Sequence, residues 1–330
     1  VNTNPIGPPE KIHRILENCL KRRVYEKYPD YNQAMTRRLI AEFYGVDEAN
    51  LILSNGAAEA INLVIIAAKP RRIVVAEPSY GEYESIVGVL NIRYEYVLMK
   101  IREERFLLDL GELRSFCEED TLIVITNPNN PTGSYVDRGE IIDFGRECGA
   151  KILLDEAYIE LCDKCPIHVG DASENIIVVR TLTKWLAIPG LRIGFIHTVD
   201  HGLLNRIDLL RQPWNINSLA ECLVEELFLD KRDLLEFIEA SRKYIYSERR
   251  RVRDLLKRIG LRVFESDTNI LLIENPYSQM IIRELLRRGV AVRDCSSFKG
   301  LGPSYFRIGV KRRDENDLLI KYLSEEIRYR

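Results

Sequence analysis

Between residues 51 and 200 the chain alternates short apolar runs with longer stretches whose apolar residues recur at three and four spacing. The runs "LILS" (51–54), "RIVVAE" (72–77), "YEYVLM" (94–99), "LIVIT" (122–126), "KILLD" (151–155), "IIVVR" (176–180) and "IGFIHT" (193–198) read as strands. Near-continuous apolar strands are buried on both faces, and their alternation with helical stretches predicts an α/β fold with a parallel sheet covered by helices on both sides. The pattern changes after about residue 213. Helical spacing dominates residues 215–259, and then "LRVFES", "NILLIE", "GVAVRD" and "YFRIGV" surround a helix at 278–288, with a closing helix at 314–328. This predicts a smaller α+β domain, with a boundary near the "RQPWN" turn. The expected division is an amino-terminal arm (1–27) packing with the small domain, a large domain (28–213) and a small domain (214–330).

Composition narrows the function classes. The 330 residues are 46% hydrophobic, with 48 basic and 50 acidic side chains giving a net charge of −2, so no overall field draws the chain to nucleic acid or membrane. No window approaches the length of an apolar membrane span, and "VNTNPIGPPEK" lacks the features of a secretory leader, so a cytoplasmic location is expected. Seven cysteines, an odd number, suggest reduced, buried thiols rather than a disulfide framework. "CDKC" (162–165) has no second pair or histidine cluster near it in sequence, which argues against zinc and for a loop with two ordinary thiols.

Candidate chemistry gathers at the carboxyl ends of the predicted strands, where open α/β sheets bind ligands. Lys184 lies in "RTLTKWLAIPGLRIGF", with Thr181 and Thr183 beside it and Arg192 eight positions on. A lysine that forms an imine with a phosphorylated aldehyde needs phosphate ligands close by, and these three could supply them. In "LILSNGAAEA", Gly56 permits a tight turn that offers the amides of Ala57 and Ala58 to an anion at a helix start; a plain turn before a core helix fits the same residues. Asp155 ends an apolar strand and needs a cationic partner, such as a protonated pyridine nitrogen. Tyr158 could reach a ring hydroxyl or meet solvent, and Tyr80 could stack on a ring or simply pack. In "TNPNNPTGSY" two prolines stiffen a loop that could hold the Asn130 amide over the ring.

In their order and spacing, "NPNNPTG", "DEAY" and "TLTKWLAIPGLRIGF" resemble the fold type I pyridoxal-phosphate enzymes of the class I/II aminotransferase family, and the likeness covers nearly the whole chain. The resemblance implies a mostly parallel seven-stranded sheet sandwiched by helices, and pyridoxal 5′-phosphate as cofactor. By it Lys184 carries the imine, Asp155 pairs the ring nitrogen, Asn130 and Tyr158 bind the ring oxygen and Tyr80 stacks. The Ala57 and Ala58 amides, Thr181, Thr183 and Arg192 hold the phosphate. It also implies a homodimer in which Tyr28, in "EKYPDY", reaches the neighbour's phosphate; packing on its own chain is the alternative.

For the substrate, the carboxylate-binding arginine of the family corresponds to Arg307 in "YFRIGV", and Arg293 offers a second cation. Together they suit a substrate with a carboxylate and a phosphate, clamped with help from the backbone near Ile6 and Gly7; a surface ion pair with Asp294 is the other reading of Arg293. "NTNPIGPPEKI", "RQPWNINSLA" and "VRDCSSFKGL" are similar to threonine-phosphate decarboxylases of cobalamin synthesis and, less closely, to histidinol-phosphate aminotransferases. Trp214 and "RDCSSF" favour the decarboxylase. A noncatalytic, cofactor-binding regulatory relative is a further alternative, against which the intact Lys184, Asp155 and Arg192 argue.

Overall fold

The computed structural model describes residues 2–170 and 173–328. Along the chain come β1 (Leu51–Ser54), β2 (Arg72–Glu77), β3 (Arg93–Leu98), the hairpin strands β4 (Lys100–Arg102) and β5 (Arg105–Leu107), then β6 (Thr121–Thr126), β7 (Lys151–Asp155), β8 (Ile176–Thr181) and β9 (Gly194–His197). All but the hairpin form a 7-stranded sheet in the order β1-β9-β8-β7-β6-β2-β3. β9 runs antiparallel to both its neighbours, and the other pairings are parallel.

Both faces of this sheet are covered, which is why its strands read as unbroken apolar runs. Alternate residues go to opposite sides. Leu53, Ile125, Leu154 and Val178 join a core with Ile12 and Ile15 of the helix Glu10–Lys21 and Leu39 of the helix Ala34–Tyr44. Val75, Val124, Leu153 and Val179 meet Ile61, Val64, Leu203 and Ile207 on the other side.

The remaining strands, β10 (Arg262–Val263), β11 (Ile270–Glu274), β12 (Arg293–Asp294) and β13 (Tyr305–Gly309), form a 4-stranded antiparallel sheet in the order β10-β11-β13-β12. The helices Ser278–Arg287 and Arg313–Arg328 back it. The 28-residue helix Lys231–Arg258 serves both cores, with Leu234, Ile238 and Ile245 in the first and Val252 and Leu256 in that of the small sheet. Two strand expectations shorten here. "LRVFES" keeps two ladder residues because the chain turns to the hairpin, where the Glu265 N–H donates to the Glu104 carbonyl at 2.7 Å. "GVAVRD" keeps only Arg293 and Asp294, after a left-handed turn at Gly289 (φ 78°). No helix among the described residues is long and apolar enough to cross a membrane.

The cysteine expectation is corrected. Cys19 pairs with Cys222, Cys117 with Cys148 and Cys162 with Cys165, at Cα–Cα separations of 6.3, 4.9 and 5.4 Å, and Cys295 is free and buried. An odd count merely leaves one thiol over, and the pairing depends on which helices pack together, which spacing in sequence does not reveal. Cys19 and Cys222 lie on the packed helices Glu10–Lys21 and Ser218–Leu227, 203 residues apart. Closing so long a loop removes much unfolded-chain entropy, so the double variant Cys19→Ser, Cys222→Ser should lose about 2–5 kcal/mol. Thermal scans of the oxidised proteins will show a lower Tm for the variant; an equal Tm would mean that the two sulfurs are not bridged.

Candidate active site

The sheet topology brings the functional candidates to one edge. Ser54, Glu77, Thr126, Asp155 and Thr181 end β1, β2, β6, β7 and β8 at the sheet's carboxyl edge. Because β9 runs the opposite way, its amino end falls on that same edge, with Gly194 in register with both Ser54 and Thr181. Arg192 therefore arrives beside the ends of β1 and β8. One cavity there is lined by Ala57, Ala58, Ile61, Tyr80, Thr126, Asn130, Asp155, Ala157, Tyr158, Thr181, Thr183, Lys184 and Arg192.

Its floor at the β1 end is an anion cradle. The helix Gly56–Ala68 starts directly after β1, so its first amides are free to point outward. Gly56 has φ 75°, and a Cβ there would lie 2.7 Å from Arg192 Nη2, so only glycine lets the guanidinium close over the turn. Gly194 allows the matching approach from β9, since its Cβ would meet the Arg180 carbonyl at 2.6 Å. Thr181 and Thr183 are buried with their hydroxyls 2.9 Å apart, and Thr181 also donates to the Ile193 carbonyl at 2.9 Å. Two hydroxyls, a guanidinium and a helix start thus converge on one place, a donor set suited to a phosphate.

Lys184 sits in the short helix Leu182–Trp185, capped by the Thr181 side chain. Its Nζ lies 5.8 Å from the centre of the Tyr158 ring. Burial, then the Arg192 charge, lowers its proton affinity, with Asp155 opposing. A larger fraction of this amine is therefore neutral and nucleophilic at neutral pH than for a surface lysine.

Asp155 is buried, and burial pushes its carboxyl above the usual range, opposed by hydrogen bonds from the Tyr83 hydroxyl to Oδ2 (2.6 Å) and the Ala157 N–H to Oδ1 (3.0 Å). Among the described residues it has no salt-bridge partner. A buried carboxylate aimed into a cavity without one is a place for a cationic ligand atom. Its neighbour Glu156 points the other way, into a fully buried pair with Arg180 (2.7 Å) that Arg138 joins at 3.0 Å. That pair ties the turn after β7 to β8 and so fixes Asp155 relative to Lys184.

The asparagine-rich loop divides its labour. Asn127 exchanges two hydrogen bonds of 2.9 Å with the backbone of Val136, and Asn129 bonds Thr132 and the Pro78 carbonyl, which leaves Asn130 facing the cavity. Arg307 donates from Nη1 to Asn130 Oδ1. Tyr158 is buried rather than open to solvent, and burial raises its hydroxyl to about 12. Tyr80 lines the cavity, edge-on to Tyr83 with ring centres 5.9 Å apart.

Arg293 and Arg307 face each other across β12 and β13 as one register pair, which places both on the same side of the small sheet. With Asn2 they line a second cavity next to the first. Neither forms a salt bridge among the described residues, so the pairing of Arg293 with Asp294 is not seen; Asp294 instead accepts from Gln279 and the Ser296 N–H. Ile6 and Gly7 lie outside the lining of both cavities. Tyr28 lies outside the lining of its own chain's cavity, 78% exposed and tilted against Trp214 with ring centres 4.5 Å apart, and Tyr31 meets Trp214 edge-on.

Sequence reasoning missed two contributors. Tyr83 lies in the quoted "AEPSYGEYE" but gave no signal, because its partner Asp155 is 72 residues away. Asn4 anchors the amino-terminal arm on the lysine turn: its N–H donates to the Lys184 carbonyl (2.8 Å) and its side chain to the Trp185 carbonyl and Ser241, each at 2.8 Å. No spacing rule pairs positions so distant.

Known proteins resemble this chain in sequence and fold. A provisionally named threonine-phosphate decarboxylase of Caldanaerobacter subterraneus is 32% identical over 98% of this chain and 88% of its own. The histidinol-phosphate aminotransferase of a Thermoanaerobacter species is 31% identical over 98% of this chain and 91% of its own. The crystal structure of the histidinol-phosphate aminotransferase from Clostridium acetobutylicum superposes with a TM-score of 0.90 at 27% identity, covering 100% of this chain and 98% of that one. The family described as aminotransferase class I and II matches residues 1–323, so this chain is an enzyme of the class I and II aminotransferase family.

Proposed function

We propose that this enzyme uses pyridoxal 5′-phosphate to act on a phosphorylated amino compound, and that its reaction is the decarboxylation of L-threonine O-3-phosphate, a step of cobalamin biosynthesis. The cofactor fits on three counts: the anion cradle takes its phosphate, the buried Asp155 carboxylate takes its ring nitrogen, and the Lys184 amine is placed for its aldehyde. The family to which the chain belongs works with this cofactor. The observation that carries the substrate class is the register pair Arg293 and Arg307, two guanidinium groups on one face beside the amine's cavity. Two forks at that spacing suit a small substrate with an anion at each end.

When bound, the cofactor supplies an electron sink for charge developing at the substrate's α-carbon. The chain's residues do the rest. Asp155 holds the proton on the ring nitrogen. Arg307 takes the carboxylate, and its bond to Asn130 sets that anion's position relative to the ring. Arg293, at the exposed end of the pair, takes the phosphate. Anchored this way, the bond to the carboxylate is the one that breaks, carbon dioxide departs, and Lys184 Nζ returns a proton to the α-carbon, giving (R)-1-aminopropan-2-yl phosphate.

The second reading is a histidinol-phosphate aminotransferase of histidine biosynthesis, with 2-oxoglutarate and glutamate as the partner couple. The near-equal likeness to relatives of both names favours neither. In that reaction Lys184 removes the α-proton instead. The exposed cluster of Tyr28, Tyr31 and Trp214 also supports a homodimer in which Tyr28 completes the neighbour's phosphate site. One assay decides the chemistry. The loaded enzyme is offered threonine phosphate alone, and histidinol phosphate with 2-oxoglutarate; carbon dioxide from the first is expected, and glutamate without carbon dioxide would reverse the assignment.

A further inference from the structure

Behind Asp155 runs a row of buried hydroxyls that the reaction just described does not use. Tyr83 donates to Asp155 Oδ2 at 2.6 Å, Thr126 Oγ1 lies 3.0 Å from the Tyr83 hydroxyl, and Ser79 Oγ lies 2.8 Å from Thr126 Oγ1. All three residues are buried. The directions of these bonds follow from counting protons. An ionised carboxylate only accepts, so the single Tyr83 proton goes to Asp155; the single Thr126 proton must then go to Tyr83, and that of Ser79 to Thr126. Ser79 is itself held by its N–H, which donates to the buried Glu77 carboxyl, whose other oxygen accepts from the Tyr94 hydroxyl at 2.5 Å. The row is thus fixed at its far end and points one way. Hydrogen bonds aligned in this manner polarise one another and strengthen the last.

We propose that Tyr83, oriented by Thr126 and Ser79, is a positioning residue for the cofactor ring: it holds Asp155 as a carboxylate and fixes which of its oxygens is left to face the ring nitrogen. This rests on the pyridoxal-phosphate reading of the site. The charged and titratable groups around Asp155 are Lys184, Glu156, Tyr80, Tyr158 and Tyr83, and of these only Tyr83 is hydrogen-bonded to it. Losing that hydroxyl leaves the backbone N–H of Ala157 as the other donor on the buried anion.

The test is the series Tyr83→Phe, Thr126→Val and Ser79→Ala, read in two ways. With cofactor labelled at its ring nitrogen, NMR reports whether that nitrogen keeps its proton. Tyr83→Phe should shift the titration down by about one unit, with about a tenfold fall in kcat/KM; Thr126→Val should shift it less, and Ser79→Ala least. Without cofactor, the readout is Tm against pH. Burial already raises the Asp155 carboxyl, so its contribution to stability is present below its unfolded value and is lost as pH rises through the folded one. Removing the Tyr83 hydroxyl moves the folded value further up, so Tyr83→Phe should lie near wild type at pH about 4 and fall progressively below it by pH about 8. The same graded order is expected. Equal shifts in all three variants, or none in Tyr83→Phe, would overturn the inference and leave the cofactor assignment standing if wild type still binds it. If wild type binds no cofactor the functional reading fails, and the cofactor-free series still decides the role of the hydroxyl row.

Discussion

Replacing Lys184 with alanine should abolish the adduct that borohydride fixes between protein and pyridoxal phosphate, and should lower turnover by roughly ten-thousand-fold. Lys184 supplies the sole amine among the described residues lining the cavity. Its side chain is partly buried against Tyr158, and the neighbouring Arg192 charge lowers its hold on a proton, which suits it both to attack an aldehyde and to carry protons to and from the α-carbon. The backbone carbonyl that anchors Asn4 is untouched by the substitution, so the arm and the lysine turn should keep their places. Mass spectrometry after reduction checks the result directly. A labelled adduct that persists in Lys184→Ala would refute the assignment, whatever the activity.

The second large effect is expected at Asp155. Asparagine keeps the shape, but its single amide oxygen can accept from Tyr83 or from the Ala157 N–H and not from both, so Asp155→Asn removes the charge and one hydrogen bond with little change in packing. The cofactor should still join Lys184, yet turnover should fall by about a hundred- to a thousand-fold, because the anion proposed to hold the ring nitrogen's proton is gone. The pH dependence of stability should change as well. The wild-type carboxyl is raised by burial and therefore costs stability once pH exceeds its folded value, so the cofactor-free variant should lose less stability than wild type between pH about 4 and pH about 8. A folded variant that keeps full turnover would remove Asp155 from its role.

How much of this was legible in the sequence depends on distance along the chain. The strands β1, β2, β6, β7 and β8 were readable because burial on both faces leaves unbroken apolar runs, and the residues at their ends followed from the rule that such sheets bind ligands there. Asp155, Lys184, Thr181, Thr183 and Asn130 all reach the cavity. What stayed hidden depends on pairs far apart in sequence. The Tyr83 hydroxyl serves an aspartate 72 positions on, Asn4 holds a lysine turn across the molecule, and Cys19 meets Cys222 because two helices pack. The two shortest strands of the small sheet were overdrawn for a related reason: β-branched residues favour extended chain, but only the neighbouring strand decides how many of them join a ladder.

The reversed direction of β9 has one more consequence. Because β8 and β9 are adjacent and antiparallel, the twelve-position stretch from Thr181 to Arg192 leaves the sheet and returns to it as a single excursion, carrying the amine together with the two hydroxyls and the guanidinium proposed to hold the phosphate. These groups therefore behave as one cassette of fixed length, in which an inserted or deleted residue would displace the lysine from the anion site even if every side chain were retained.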